Sequence, residues 1–356
     1  MAPGQGDHVC VFVVGPAFDQ NVPTAMLTCR MGYARAFEAL GVPYLFVDQQ
    51  DLPAMLPRLS GPFCMVNGAD YLYMEKPVLK ALKGVPHCVW VDPWFPDSDR
   101  FFAAHDLDAR IWHWSDEHRR KILATEPRFV HTATVATGLH FFAGWQSRGL
   151  QVVSLPLACD TFLYQPTGEP SPRFEGIKLA FVGGYWESKG RQLDRYLRPF
   201  EDDLVIFGYS AWPYRGYRGR LPIADEPVLY RQALVSPVIN EPSVAILHGQ
   251  INERIFKVLG SGGYPLVDAV PAYRELFSAS ELPIPENADH FAEMLRDLLN
   301  RGAPRDRCAL GRQAVLERHT YLLRVRQVMR AMGLHLQADA AVPPCPGKSC
   351  RPGVAG

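Results

Sequence analysis

Short apolar runs alternate with segments of helical periodicity along most of this 356-residue chain. The first run, residues 9–14, ends at Gly15 and Pro16, and a predicted helix at 25–40 connects it to a second run at 44–48. Continuous apolar runs of this length are typical of strands that are buried on both faces of a parallel sheet. The strand–helix–strand order therefore predicts an α/β fold of the doubly wound kind.

The alternation is interrupted at residues 164–172, where proline, glycine and serine accumulate without periodicity, as in a linker. Before this interruption the pattern predicts further strands at 63–67, 87–92, 109–114 and 152–156, and after it at 177–183, 204–208, 235–239, 244–247 and 264–268. The predicted regions are a Rossmann-like domain at 1–160, a linker at 161–175, a second Rossmann-like domain at 176–332 and a disordered tail at 333–356. Two such domains facing across a cleft would bind ligands beyond the carboxyl ends of their strands.

The charge balance and hydropathy narrow the classes of partner. The chain has 37 basic and 37 acidic residues, and nucleic-acid-binding proteins usually carry a basic excess. We therefore expect no nucleic-acid partner, although a local phosphate site is compatible with a neutral total. No apolar stretch reaches the roughly 20 residues that cross a bilayer. The N-terminus also lacks a secretory signal pattern, so we expect a cytoplasmic protein without a membrane span.

Four segments carry a family resemblance: residues 155–160, 181–190, 251–268 and 318–324. The third contains Asn252-Glu-Arg-Ile-Phe256 and runs through small residues into a strand, and the fourth contains His319-Thr-Tyr. Together they resemble the glycosyltransferase "group 1" domain, and most closely the branch typified by the spore-maturation protein CgeB. This resemblance covers residues 152–330. It implies the GT-B fold, two Rossmann-like domains facing across a cleft, with a nucleotide-sugar donor bound by the second domain.

The first candidate donor element follows from the diphosphate of such a donor, which needs close backbone N–H groups, a helix N-terminus or basic side chains. Gly183 and Gly184 end a predicted strand, and Lys189 and Arg191 follow. By resemblance, Lys189 matches the phosphate-binding lysine of the family, whereas Gly184 stands where the family commonly has arginine. Arg191 is a candidate to compensate. A strand-end turn with solvated charges is the alternative.

The second candidate donor element is the predicted helix at 252–259. Asn252 is a good N-cap, and Gly260 ends the helix. The first turn would direct Arg254 to phosphate and Glu253 to the hydroxyls of the sugar or ribose. His248, in the preceding loop, is a further donor candidate by its position.

The chain departs from the family at this helix. The broader family carries two glutamates eight residues apart, and the matching positions here hold Gly249 and Lys257. Glu253 and Lys257 are spaced to form a surface pair, which would contribute about 0.2–0.5 kcal/mol. Alternatively, Glu253 takes over hydroxyl recognition and Lys257 adds positive charge. The departure also leaves open a non-catalytic copy of the fold.

The N-terminal half supplies the acceptor candidates. Asp92 ends a predicted strand at the carboxyl edge of the sheet and is the candidate catalytic base, with an Asx turn as the alternative. Trp94, Asp97 and Asn21 are candidate acceptor contacts. Asp97-Ser-Asp99 has a bare Asp-x-Asp pattern, but its proline-rich context does not match a metal site. The eight cysteines contain no Cys-x-x-Cys pair, which argues against a zinc site. GT-B enzymes lack the Asp-x-Asp metal site, so the resemblance implies no metal.

These observations predict a metal-independent glycosyltransferase that uses a nucleotide-sugar donor, expected to be a UDP-sugar, and no separate cofactor. The acceptor, a glycan, a protein or a small molecule, is not determined by the sequence. Two alternatives stay open: a catalytically degenerate nucleotide-sugar-binding scaffold, and a sugar-nucleotide epimerase-type enzyme on the same fold.

Overall fold

The N-terminal half is built on one parallel sheet. The computed structural model describes residues 8–16, 18, 24–91, 116–245 and 247–336. Its first six strands are β1 (Val9–Val14), β2 (Tyr44–Asp48), β3 (Pro62–Asn67), β4 (His87–Trp90), β5 (Phe129–Thr132) and β6 (Val152–Ser154). They pair in the order β2-β1-β3-β4-β5-β6, with every pairing parallel. The predicted doubly wound sheet is therefore confirmed, and the strand order reverses between β1 and β3.

Parallel strands also form the core of the second half. They are β7 (Leu179–Val182), β8 (Leu204–Phe207), β9 (Ser236–Val238) and β10 (Pro265–Val267). The pairs β7–β8 and β9–β10 are parallel. A parallel bridge between Leu179 and Val235 connects the two pairs, which gives the order β8-β7-β9-β10. The predicted α/β class thus holds in both halves.

Helices connect these strands and cover the sheets. The α-helices are α1 (Ala25–Ala39), α2 (Leu52–Met55), α3 (Lys76–Lys83), α4 (Asp116–Thr125), α5 (Ala143–Gln146), α6 (Glu187–Leu197), α7 (Glu226–Gln232), α8 (Arg254–Gly260), α9 (Tyr273–Leu276), α10 (Ala288–Arg301), α11 (Arg305–Arg318) and α12 (Tyr321–Met332). The 3₁₀ helices span Leu56–Arg58, Gly68–Tyr73, Ala136–Phe142, Pro172–Phe174, Arg198–Asp203, Ile223–Asp225 and Pro242–Ala245.

One strand was missed by the sequence analysis, and two of the strand predictions were not confirmed. β5 was not predicted, because its four residues, Phe129–Thr132, end in two polar side chains. The strand predicted at 244–247 is wrong, since Pro242–Ala245 form a 3₁₀ helix. The strand predicted at 109–114 lies outside the described residues.

The last helix packs against the first half of the chain. Tyr321, Val325 and Met329 of α12 share a buried apolar cluster with Tyr33 and Phe37 of α1. The chain thus crosses back to the N-terminal sheet after residue 320, although α12 lies within the range predicted for the second domain. The domain boundaries themselves stay a prediction. In the part of the chain described above, no helix is both long and apolar enough to span a bilayer.

Candidate functional site

A cavity lies at the carboxyl ends of β7 and β8, beside the start of α8. Seven of the nine predicted donor residues line it: Gly183, Gly184, Lys189, Asn252, Glu253, Arg254 and Lys257. The other two lie elsewhere. Arg191 is exposed on α6, and His248 is exposed in a loop with its ring 6.3 Å from that of Phe141. The structure therefore brings together the two donor elements that the sequence separates by about 60 residues.

Arg254 brings a buried positive charge to this cavity. Its Nε donates to the Val182 carbonyl oxygen at 2.7 Å, and its guanidinium lies 4.1 Å from the ring centroid of Phe181. Its Nη1 is buried and has no hydrogen-bond partner among the described residues. A buried charged donor without a partner is unfavourable unless an acceptor binds it. Chemically, an anionic ligand in the cavity could supply the missing acceptor for this guanidinium.

Gly183 allows this arrangement because the backbone and Arg254 approach each other closely. A Cβ atom at Gly183 would lie only 2.5 Å from Nη2 of Arg254. At Gly184 it would lie 2.5 Å from the hydroxyl oxygen of Tyr209. Any larger residue would therefore displace groups that line the cavity.

Lys189 is also at the cavity, but its charge already has a partner. The residue is 2 % exposed, and its Nζ lies 2.6 Å from Oε1 of Glu241. The ammonium lies 4.7 Å from the ring centroid of Trp186. Burial lowers the pKa of Lys189, while Glu241 opposes this shift and the nearby Arg254 adds to it. Because the Lys189–Glu241 pair is almost neutral, Arg254 contributes more positive charge to the cavity than Lys189 does.

Glu253 and Lys257 form a buried pair rather than a surface pair. Nζ of Lys257 lies 2.9 Å from Oε2 of Glu253, and the two side chains are 11 % and 6 % exposed. Glu253 also accepts from the hydroxyls of Thr28 at 2.6 Å and Tyr321 at 2.9 Å. The interpretation as a solvated surface pair is therefore wrong. Both carboxylate oxygens of Glu253 are already used in joining α8 to α1 and α12, and its predicted role in hydroxyl recognition stays a prediction.

Asn252 belongs to a buried polar network behind the cavity. Its Oδ1 accepts from the backbone N–H of Arg254 at 2.9 Å, but the N-cap of α8 is Glu253, so the predicted capping position is one residue too early. Its own N–H donates to Oδ1 of Asn240 at 2.8 Å, and Asn240 in turn donates to Asp268 at 2.6 Å. Burial raises the pKa of Asp268 to about 6, although the bonds from Asn240 oppose the shift. This network fixes the backbone from which Arg254 projects.

Sequence reasoning missed three cavity residues that carry useful chemistry. Glu226 lines the cavity at the start of α7 and accepts from the Tyr164 hydroxyl at 2.7 Å. Tyr209 follows β8 directly, is 37 % exposed, and lines the cavity together with Arg220. The rule that ligands bind beyond strand ends indicates Tyr209 as it does Gly183. No local pattern distinguishes Glu226, whereas Arg220 ends a basic run with interleaved tyrosines at 214–220.

The predicted acceptor residues cannot be placed. Asp92, Trp94, Asp97 and Asn21 all lie outside the described residues. A second cavity does occur at the carboxyl edge of the first sheet, lined by Arg30, Asn67, Trp90 and His131 among others. Ala25 lines the first cavity and Met26 the second, so the two lie beside the first turn of α1.

Metal-ligating side chains do not cluster in the described part of the chain. No group of three or more histidine, cysteine, aspartate or glutamate residues within the described ranges could hold a metal ion. All six cysteines that the structure describes are buried free thiols. The Asp97-Ser-Asp99 pattern lies outside those ranges.

Comparison with known proteins identifies the fold. Residues 175–330 match a family model described as "Glycosyl transferase-like". T4 phage BGT in complex with UDP and Mn²⁺ has a TM-score of 0.58 and 10 % identity, covering 92 % of this chain and 100 % of that one. An alpha-glucosyltransferase in complex with UDP-glucose and DNA containing an abasic site has a TM-score of 0.61 and 8 % identity, with the same coverage. Among curated proteins there is no significant sequence match.

The fold class follows from these structural similarities and from the parallel sheets in the two halves. The chain has the GT-B fold of glycosyltransferases, as the resemblance implied. More particularly, residues 175–330, which supply most of the residues around the Arg254 cavity, resemble a glycosyl transferase-like domain. Because these solved structures are only 8–10 % identical to the chain, their similarity shows the fold alone.

Proposed function

We propose that this chain is a glycosyltransferase that uses a UDP-sugar and needs no metal ion. In this proposal the cavity beside α8 binds the donor, and the N-terminal half holds the acceptor. The observation that carries the proposal is the unpartnered, buried Nη1 of Arg254 beside Gly183. A diphosphate would supply the missing acceptor oxygen, and the guanidinium would stabilise the charge that develops as the glycosidic bond breaks.

The rest of the cavity fits a nucleotide diphosphate. Tyr209 offers a partly exposed aromatic face against which a nucleobase can stack. Glu226 offers a carboxylate that can accept from ribose or sugar hydroxyls. We assign the hydroxyl-binding role to Glu226 rather than to Glu253, because protein groups already occupy both oxygens of Glu253. The neighbouring structures described with UDP or UDP-glucose support the choice of nucleotide.

The membership of the CgeB-like branch and the metal independence are parts of the same proposal. One neighbour is described with Mn²⁺, so the metal requirement has to be measured. The alternative of a non-catalytic scaffold retains one specific argument, the buried Lys257 where the family has glutamate. A scaffold would bind the nucleotide sugar without releasing UDP from it.

The test is thermal unfolding with UDP, GDP, dTDP, ADP and CMP and with their sugar nucleotides. A ligand at 100 times its Kd stabilises the native state by about 2.7 kcal/mol. We expect a shift with UDP and UDP-sugars that is reduced to about half in Arg254→Met, because a tenfold weaker Kd lowers the stabilisation to about 1.4 kcal/mol. The matched control is Arg324→Met, because Arg324 is equally buried, and its Nε also donates to a backbone carbonyl oxygen at 2.7 Å, that of Pro156.

Both variants should lose stability, but only Arg254→Met should show a smaller nucleotide-dependent shift. Loss of one charge-assisted hydrogen bond of about 1.5–3 kcal/mol predicts an affinity reduced by about tenfold or more. If the shift is absent from the wild-type protein, or equally large in Arg254→Met, the donor site is misplaced.

A further inference from the structure

Glu241 is an acidic residue of the donor cavity whose role the proposed function leaves open. It follows the last residue of β9 by three positions and lines the cavity together with Lys189 and Arg254. Its Oε1 accepts a hydrogen bond from Nζ of Lys189 at 2.6 Å. The other acidic residues of the wall, Glu226 and Glu253, accept from tyrosine hydroxyls instead. Glu241 is therefore the carboxylate that neutralises Lys189.

The two partners of this ion pair differ in burial. The side chain of Lys189 is 2 % exposed and belongs to the first turn of α6, with its ammonium against the ring of Trp186. The side chain of Glu241 is 28 % exposed and belongs to the loop after β9. Among the described residues, Oε2 of Glu241 has no hydrogen-bond partner. The carboxylate, rather than the buried ammonium, is thus the partner that can move away when a ligand enters.

The ammonium of Lys189 needs an anion in this position. A buried charge without a partner is strongly unfavourable, and the nearby positive charge of Arg254 makes it more so. Glu241 supplies the anion from the protein itself. A phosphate oxygen would meet the same requirement, because it also forms a charge-assisted hydrogen bond with an ammonium.

We propose that Glu241 is a specificity-determining residue, which holds on Lys189 the position of an anionic group of the donor. A ligand that carries phosphate displaces the carboxylate, because its oxygens replace Glu241 on the ammonium and also supply an acceptor for Nη1 of Arg254. A neutral ligand cannot displace it, since the ammonium would then be buried and unpaired. This inference rests on the proposed function, because it concerns the same cavity.

The test is titration calorimetry with UDP, and with inorganic pyrophosphate as a probe that lacks the nucleoside. Uridine, the neutral probe, is compared by ligand-observed NMR. Glu241→Gln keeps the shape of the side chain and removes the competing charge. We expect this variant to bind UDP and pyrophosphate about tenfold more tightly than the wild type, the effect of one hydrogen bond to a charged group. Uridine should bind equally weakly, or equally undetectably, to both proteins.

The matched control is Asp203→Asn, which removes the same charge from a pair of similar length. Oδ1 of Asp203 lies 2.7 Å from Nζ of Lys178, and the side chains are 33 % and 56 % exposed. This pair lies at the amino ends of β7 and β8, opposite the cavity, and salt at about 0.15 M screens charges beyond about 8 Å. The control should therefore bind UDP as the wild type does. A gain equal to that of Glu241→Gln would indicate long-range charge instead of the contact with Lys189.

A second background localises the effect to the ammonium. In Lys189→Met, the added Glu241→Gln substitution should no longer tighten UDP binding, because the carboxylate has no ammonium left to hold. Glu241→Gln alone should also lose stability, since it leaves Lys189 buried without its partner. If that loss prevents folding, Glu241→Asp tests the same point. It keeps the charge but shortens the reach to Lys189, and it should tighten UDP binding by about threefold.

Three results would overturn the inference. The first is binding of UDP to Glu241→Gln that is unchanged or weaker than in the wild type, as expected if Glu241 is only a structural partner or itself binds the donor. The second is an equal gain for uridine, and the third is a gain that persists in the Lys189→Met background.

Failure of the proposed function gives a different pattern. If UDP bound to no protein, but pyrophosphate bound more tightly to Glu241→Gln than to the wild type, the inference would be supported and the donor proposal contradicted. Binding of UDP that does not respond to Glu241→Gln would contradict the inference alone. If neither UDP nor pyrophosphate bound to any of these proteins, both would be contradicted.

Discussion

Replacing Glu253 by glutamine tests the most consequential packing feature of the candidate site. The substitution keeps the size of the side chain and removes its charge. Lys257 would then be buried with only Glu226 nearby, whose Oε2 is 3.9 Å from Nζ. Thr28 and Tyr321, which now donate to the carboxylate, would face an amide whose nitrogen cannot accept from them.

The expected loss is large because the pair is buried. Removing one partner of a buried ion pair costs about 3–5 kcal/mol. An unfolding entropy of about 2.1 cal/mol/K per residue gives about 0.75 kcal/mol/K for 356 residues. The expected decrease in Tm is therefore about 4–7 °C. The double variant Glu253→Gln/Lys257→Met also removes the unpaired charge and should regain at least about 1 kcal/mol.

The assay is urea unfolding followed by circular dichroism, with calorimetry for Tm. The matched control is Asp297→Asn, because Asp297 and Arg301 form an ion pair of the same spacing, 2.8 Å apart, with side chains 56 % and 80 % exposed. This control should change stability by no more than about 0.5 kcal/mol. If Glu253→Gln gave a loss as small as the control, the pair would behave as exposed, and the reasoning would be refuted.

Three further predictions concern the donor cavity and the pH dependence of stability. Gly183→Ala should displace Arg254, whose Nη2 would be 2.5 Å from the new Cβ, and lower UDP affinity by about tenfold in titration calorimetry; unchanged affinity would contradict the close approach. Because the pKa of Asp268 is raised to about 6 from an unfolded value of about 3.9, the folded state binds this proton more tightly. The free energy of unfolding should fall by about 2 kcal/mol as pH rises from 4 to 6, and Asp268→Asn should lack this contribution in urea unfolding. Burial lowers the pKa of His131 to about 3 from about 6.5, so its contribution to the free energy of unfolding is lost as pH falls, by about 3 kcal/mol between pH 8 and 4.5. His131→Phe should therefore lose correspondingly less stability than the wild type over that range. An equal loss would show that the imidazole is not buried in its neutral form.

Local sequence was enough for the architecture and for part of the donor site. Continuous apolar runs such as 9–14 and 204–208 contain the strands β1 and β8, because burial on both faces of a parallel sheet requires every side chain to be apolar. The glycines after β7 and the start of α8 indicated the cavity, since ligands bind beyond strand ends and glycine permits close approach. β5 did not follow from this rule, because His131 and Thr132 interrupt its apolar pattern.

Burial and partners of single charged residues were decided only by the tertiary structure. Glu253 and Lys257 have the same spacing as any exposed pair on a helix. Their environment depends on Thr28 and Tyr321, which lie 225 and 68 residues from Glu253 along the chain. Likewise, Lys189 has its partner Glu241 across 52 residues. The periodicity of a sequence indicates which face of a helix or strand is apolar. The partner of a polar side chain instead depends on which distant elements pack together.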